Sequence, residues 1–138
     1  MVESESLARV VVLADDLIWS TRLVGHVRAA GFEAAPVRSL EAYHVGLAAA
    51  RGAIVDLTSL AYDGLAAIAA ARDAGVAVLA VGQHDDHVLR RNALAVGADR
   101  VVAYRKLFED GPATIARWLA ARAVTAAPTA EQTEIPSR

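Results

Sequence analysis

The stretch GAIVDLTSLAYDG, residues 52–64, passes from an apolar run directly into an acid, then a polar turn, then a glycine that opens a helical pattern. GAIVD shows no alternation of apolar and polar positions, which predicts a strand covered on both faces. Asp56 closes that strand. A polar turn follows, and GLAAIAAARDA (64–74) then predicts a helix that stops at Gly75. Asp56 therefore has two readings: a carboxylate at the mouth of a site, or a strand-end residue making turn hydrogen bonds.

The same pattern recurs on either side. RVVVLA (9–14) is a continuous β-branched run and predicts a central strand, followed by a helix over 17–30 with Leu23, Val27 and Ala30 at helical spacing before Gly31. FEAAPV (32–37) is a weaker strand whose Pro36 suits a sheet edge or a strand end. Ser39 caps a helix over 40–50 with Glu41 in its first turn. VAVLAV (76–81) is a fourth strand. A helix then starts at Asp85 and Asp86 and reaches Val96 before Gly97, RVVAY (100–104) is a fifth strand, and 109–124 a fifth helix. Five parallel strands need crossover helices of right-handed sense, which predicts a three-layer α/β sandwich of flavodoxin-like topology, strand order 2-1-3-4-5. The 138 residues suit one domain over 1–124, with no internal repeat. The segment 125–138 is expected to be a disordered tail or short extension.

Composition excludes several classes of function. Sixteen acids against fourteen bases leave a net charge of -2, with no basic surface to neutralise phosphates, so no nucleic-acid partner is expected. The absence of cysteine excludes disulfides, thiolate nucleophiles and sulfur-ligated metals. The acidic start MVESESLAR and the lack of a membrane-length apolar run predict a soluble cytoplasmic protein with no membrane partner. No glycine-rich phosphate loop or Ser-His-Asp spacing points to an enzyme. His26 and His44 lie on predicted helices without a reactive partner nearby. His84 and His87 are three apart in HDDH, but Asp85 and Asp86 read more simply as a solvated helix start.

Ligands in such sheets sit beyond the carboxyl ends of the strands. Those ends carry Ala14, Asp15 and Asp16, then Asp56 to Ser59, Gly82 to His84, and Tyr104 to Lys106. Asp15, Asp16 and Asp56 would crowd one corner, and like charges so placed call for a cation, a base or a proton, which makes them metal candidates. Asp16 has capping of the following helix as its simpler role.

DLTSLAYDG resembles the segment D-L-x-M-P-x-x-D-G around the phosphorylated aspartate of response-regulator receiver domains of the CheY-like kind, with Asp56, Leu57, Asp63 and Gly64 in register. RVVVLADD, AAGF (29–32) and AVGAD (95–99) are similar to the family's other segments. The resemblance implies a two-component signalling protein with Asp56 as phosphoacceptor, Mg2+ on the acidic residues and a histidine kinase as donor. Three positions depart from it. Ala14 stands for one acid of the pair, Gly82 for the Ser or Thr after strand four, and Tyr104 for the Lys after strand five. Lys106 or Arg105, and Thr58, Ser59 or Gln83, are candidate replacements. The expectation is a degenerate, stand-alone pseudo-receiver without a bound cofactor, acting as a regulatory protein-interaction module independent of phosphorylation. A conventional regulator phosphorylated on Asp56 with Mg2+ is the alternative, and a small-ligand sensor in the same corner a weaker one. The family's face of helix four, strand five and helix five suggests a protein partner or homodimer contact at Trp118, Val101 and Tyr104.

Overall fold

The computed structural model describes residues 7–134 of the chain, with side chains up to residue 122. Five strands alternate with five helices: β1 (Arg9–Leu13), α1 (Leu17–Ala29), β2 (Glu33–Val37), α2 (Leu40–Leu47), β3 (Gly52–Asp56), α3 (Gly64–Asp73), β4 (Ala77–Gly82), α4 (His87–Val96), β5 (Arg100–Ala103) and α5 (Tyr104–Glu134). The strands form one parallel sheet in the order β2-β1-β3-β4-β5, as expected.

The apolar runs explain the three layers. Alternate residues of a strand point to opposite faces, so Val10, Val12, Ile54, Leu79 and Val81 meet α1 and α5 on one side. Val11, Leu13, Val55, Val78 and Ala80 meet α2, α3 and α4 on the other. β3 and β4 are buried along their whole length. Many of the contacts involve Ala or Val, so helices approach the sheet closely; Gly52 at the start of β3 is such a place. A Cβ there would come within 2.7 Å of the Trp118 ring and 2.9 Å of Leu119.

Helix starts follow the acids and Ser39. The side chains of Asp16, Ser39, Asp63 and Asp86 each accept from the backbone N–H three residues on, at 3.0 to 3.2 Å, which satisfies a donor the helix cannot pair internally. Gly97 ends α4 at φ 128° beneath the Arg72 side chain, where a Cβ would lie 2.5 Å from Arg72 Cδ. Asp99 then holds the start of β4 by accepting from Val78 N–H at 2.7 Å, and Arg122 of α5 binds the same carboxylate.

α5 departs from expectation at its start. It begins at Tyr104, directly after β5, and has non-helical backbone at Asp110. Pro112 accounts for that break, since proline has no N–H and its ring clashes with the carbonyl four residues back. Arg117 binds the Asp110 carboxylate there at 3.1 Å. The backbone stays helical through Thr125 to Glu134; residues 135–138 of the expected tail lie outside the described residues.

The expected contact face also needs correction. Trp118 is 1% exposed and sits in the core between α5 and the sheet, and Val101 is 8% exposed. Neither side chain is available to a partner. The reason is Gly52: its missing side chain leaves the space that the Trp118 ring enters. No helix among the described residues is long and apolar enough to cross a membrane.

Candidate functional site

The carboxyl ends of β1, β3, β4 and β5 meet at one corner, and Asp56 lies at its floor. β3 delivers it in register with Val81 of β4, and it is 1% exposed. Its Oδ1 accepts from the Thr58 backbone N–H at 2.9 Å and from the Thr58 hydroxyl at 2.7 Å. This is an Asx-type turn, in which the side chain imitates a backbone turn. Of the suggested replacement contacts, Thr58 is the one the structure brings to Asp56.

Tyr62 crosses beneath the same loop. Its hydroxyl is shared between two carbonyl oxygens, Asp56 at 2.6 Å and Leu13 at 3.1 Å, joining the ends of β3 and β1. Burial, reinforced by the charges of Asp56 and Asp15, pushes its ionisation well above the usual phenol range, so it acts as a neutral donor. Tyr62→Phe leaves both carbonyls without it and is expected to lower stability by about 1–3 kcal/mol. Urea denaturation of the two proteins measures this, and a change within error would show that water replaces the phenol fully.

Tyr104 occupies the last side of the corner. Its hydroxyl is fully buried and has no hydrogen-bond partner among the described residues, although it lies close enough to Asp56 and Thr58 for them to affect its ionisation. Burial first, and the neighbouring Asp56 carboxylate second, raise the phenol far above its ordinary value. Trp19 closes over it, with ring centroids 3.7 Å apart and planes tilted by 37°. Arg22 in turn lies 5.3 Å from the ring centroids of both Trp19 and Phe108, within cation–π range. The corner thus has an aromatic lid made by the first turns of α1 and α5.

The remaining candidates are dispersed. Ala14 is fully buried and brings no carboxylate. Asp15 is half-buried, and its backbone carbonyl accepts from Arg38 at 3.1 Å. Asp16 is exposed, and its carboxylate is used in capping α1. Lys106 lies 4.0 Å from Asp110 and Arg105 is exposed, so neither is positioned as the missing lysine. Gly82 is buried but roomy: a Cβ would meet only Leu57, at 3.8 Å. Among the described residues no group of three or more His, Cys, Asp or Glu side chains is arranged to hold a metal ion. The expected trio Asp15, Asp16 and Asp56 does not fit one, because Asp16 turns to the helix start and Asp56 Oδ1 is taken by Thr58.

Sequence reasoning missed Tyr62, Arg22 and Phe108. An aromatic residue in the turn between β3 and α3 is the signal that was present for Tyr62; nothing local marks the other two.

No family model matches the chain, and no curated protein matches it in sequence. Solved structures do match in shape. A receiver domain from Clostridium thermocellum superposes with a TM-score of 0.72 at 16% identity, covering 86% of this chain and 99% of that one. A CheY-like receiver domain from Methanospirillum hungatei JF-1 gives 0.71 at 17%, covering 87% and 99%. A response regulator from Burkholderia pseudomallei, solved with a phosphorylated aspartic acid, calcium ion and citrate, gives 0.69 at 18%, covering 91% and 74%. The chain has the flavodoxin-like fold of response-regulator receiver domains.

Proposed function

We propose that this protein is a signalling module on a receiver scaffold, acting through protein contacts and not through phosphorylation of Asp56. The observation that carries the reading is Tyr104, which stands where the resembling family has its lysine and points a buried, uncharged hydroxyl at Asp56 under the Trp19 ring. A phosphoryl group on Asp56 would add negative charge to a buried carboxylate that makes no ion pair among the described residues, an arrangement that costs heavily at low dielectric. Gly82 supplies no hydroxyl to follow the phosphoryl oxygen, so the step that would pass a signal outward lacks its side chain. Magnesium would find Asp15 and Asp56 without Asp16, a poor set for a cation that demands near-octahedral oxygen ligands.

The partner is a protein. With Trp118 and Val101 in the core, the large apolar side chains exposed on α4 and α5 among the described residues are Val88, Leu94 and Phe108, at 59%, 43% and 68%.

The deciding experiment is incubation of the full chain with magnesium and acetyl phosphate, followed by intact mass beside Asp56→Asn. The expected result is the same unmodified mass for both. A prompt single-phosphoryl adduct on the parent protein, absent from the variant, would establish the conventional regulator instead.

A further inference from the structure

We propose that the groove between α1 and the edge strand β2 binds a small amphipathic carboxylate, its head at Arg38 and its apolar body along the helix. The groove shares no lining residue with the Asp56 corner, and this inference stands whatever the outcome there.

Its origin is in the sequence. Leu17, Thr21, Val24 and Arg28 follow one another at steps of four, three and four, which stacks them on one side of α1. They face β2, where the residues on that side are only Ala34 and Pro36. Such small side chains on an edge strand cannot fill the space under about three helical turns. A cavity of about 410 Å³ remains, walled by Leu17, Val24 and Pro36 with the Ser20 and Thr21 side chains along it. That volume lies at the lower end for small-molecule sites, which are mostly apolar with a few placed polar groups.

Charge selects the occupant. Arg38 and Arg28 both line the groove, and neither forms an ion pair among the described residues. Arg38 is already held, because its Nη2 donates to the Asp15 carbonyl at 3.1 Å; that bond orients the guanidinium without neutralising it. A carboxylate meets its fork-shaped donors well. Arg28, on the last turn of α1, adds attraction for the same sign of charge. Among the described residues no acidic side chain lines the groove, so a cation is disfavoured and an uncharged apolar ligand would leave both guanidiniums unused.

Titration of the ¹⁵N-labelled full chain with octanoate tests this, with octanol and acetate as the body without the charge and the charge without the body. Saturable amide shifts are expected over 17–28 and 33–38, with weaker binding of both controls. Arg38→Gln is expected to bind about fivefold more weakly, the weight of one partly exposed ion pair. Thr21→Trp, at an exposed position, should block the groove and abolish the shifts, and it serves if Arg38→Gln proves unstable. Three results would each overturn the proposal: no saturable shifts in those segments, equal affinity for octanol, or octanoate binding unaltered by both substitutions. Shifts scattered over exposed apolar positions such as Val45 and Leu60 would mark non-specific adsorption and also reject it.

Discussion

On the proposed reading, in which Asp56 of the parent chain stays unmodified, the double variant Tyr104→Lys, Gly82→Thr is expected to gain phosphorylation there. Each substitution restores one charged or charge-assisted contact to a phosphoryl oxygen, worth about 1.5–3 kcal/mol. Together they amount to about 3–6 kcal/mol, or roughly two to four orders of magnitude in the phosphorylated population; coupling between adjacent groups sets the actual figure within that range. The geometry permits both changes. A Cβ at Gly82 has 3.8 Å to Leu57, so threonine enters without displacing backbone. Lysine at 104 removes the ring that Trp19 covers and puts an ammonium beside the buried Asp56 carboxylate. Intact mass with acetyl phosphate and magnesium, and the lifetime of the adduct after the donor is removed, measure the effect; Asp56→Asn in the same background is the control. A folded double variant that remains unmodified would overturn the expectation that the lysine and hydroxyl positions limit the chemistry.

Trp118→Ala is expected to cost about 3–5 kcal/mol of stability, the usual penalty for truncating a buried tryptophan. A marginally stable domain has about 5–15 kcal/mol in total, so the variant should unfold at much lower urea. The side chain is 1% exposed and packs into the notch left by Gly52. Gly52→Ala attacks the same contact from the other side, since its Cβ would lie 2.7 Å from the ring; overpacking of that kind costs about 1–3 kcal/mol. In the combined variant the added methyl has no ring to meet, so the double loss should fall short of the sum by at least about 0.5 kcal/mol. Equilibrium urea denaturation followed by circular dichroism gives all three values. A loss below about 1 kcal/mol for Trp118→Ala would place the ring at the surface and restore it as an interface candidate.

Much of the architecture is legible in the chain because it depends on local chemistry. The apolar runs at 9–14, 52–56 and 76–81 read as strands buried on both faces, and five strands alternating with five helices admit few topologies. Ser39, Asp16 and Gly97 mark helix ends through hydrogen bonds or backbone angles that involve neighbours a few residues away. Pro112 also has a local effect, but the expected helix start at 109 passed over the helical residues ahead of the break it causes.

The site divides along the same line. Asp56 has its address from the strand that ends on it, and the sequence by itself determined that address and the sheet order around it; Ala14, Gly82 and Tyr104 are departures only by comparison with the receiver family the chain resembles. The sequence could not determine what Tyr104 does, because the stack with Trp19 joins residues 85 positions apart, and the Arg22 bridge to Phe108 joins two helices. The same holds for Trp118, whose burial depends on a glycine in another element, and for the α1–β2 groove, which exists because small edge-strand residues face a helix they cannot cover. Periodicity reports which way a side chain leaves its own element; only tertiary structure decides what it meets there, since packing and desolvation depend on the atoms that arrive from elsewhere in the chain.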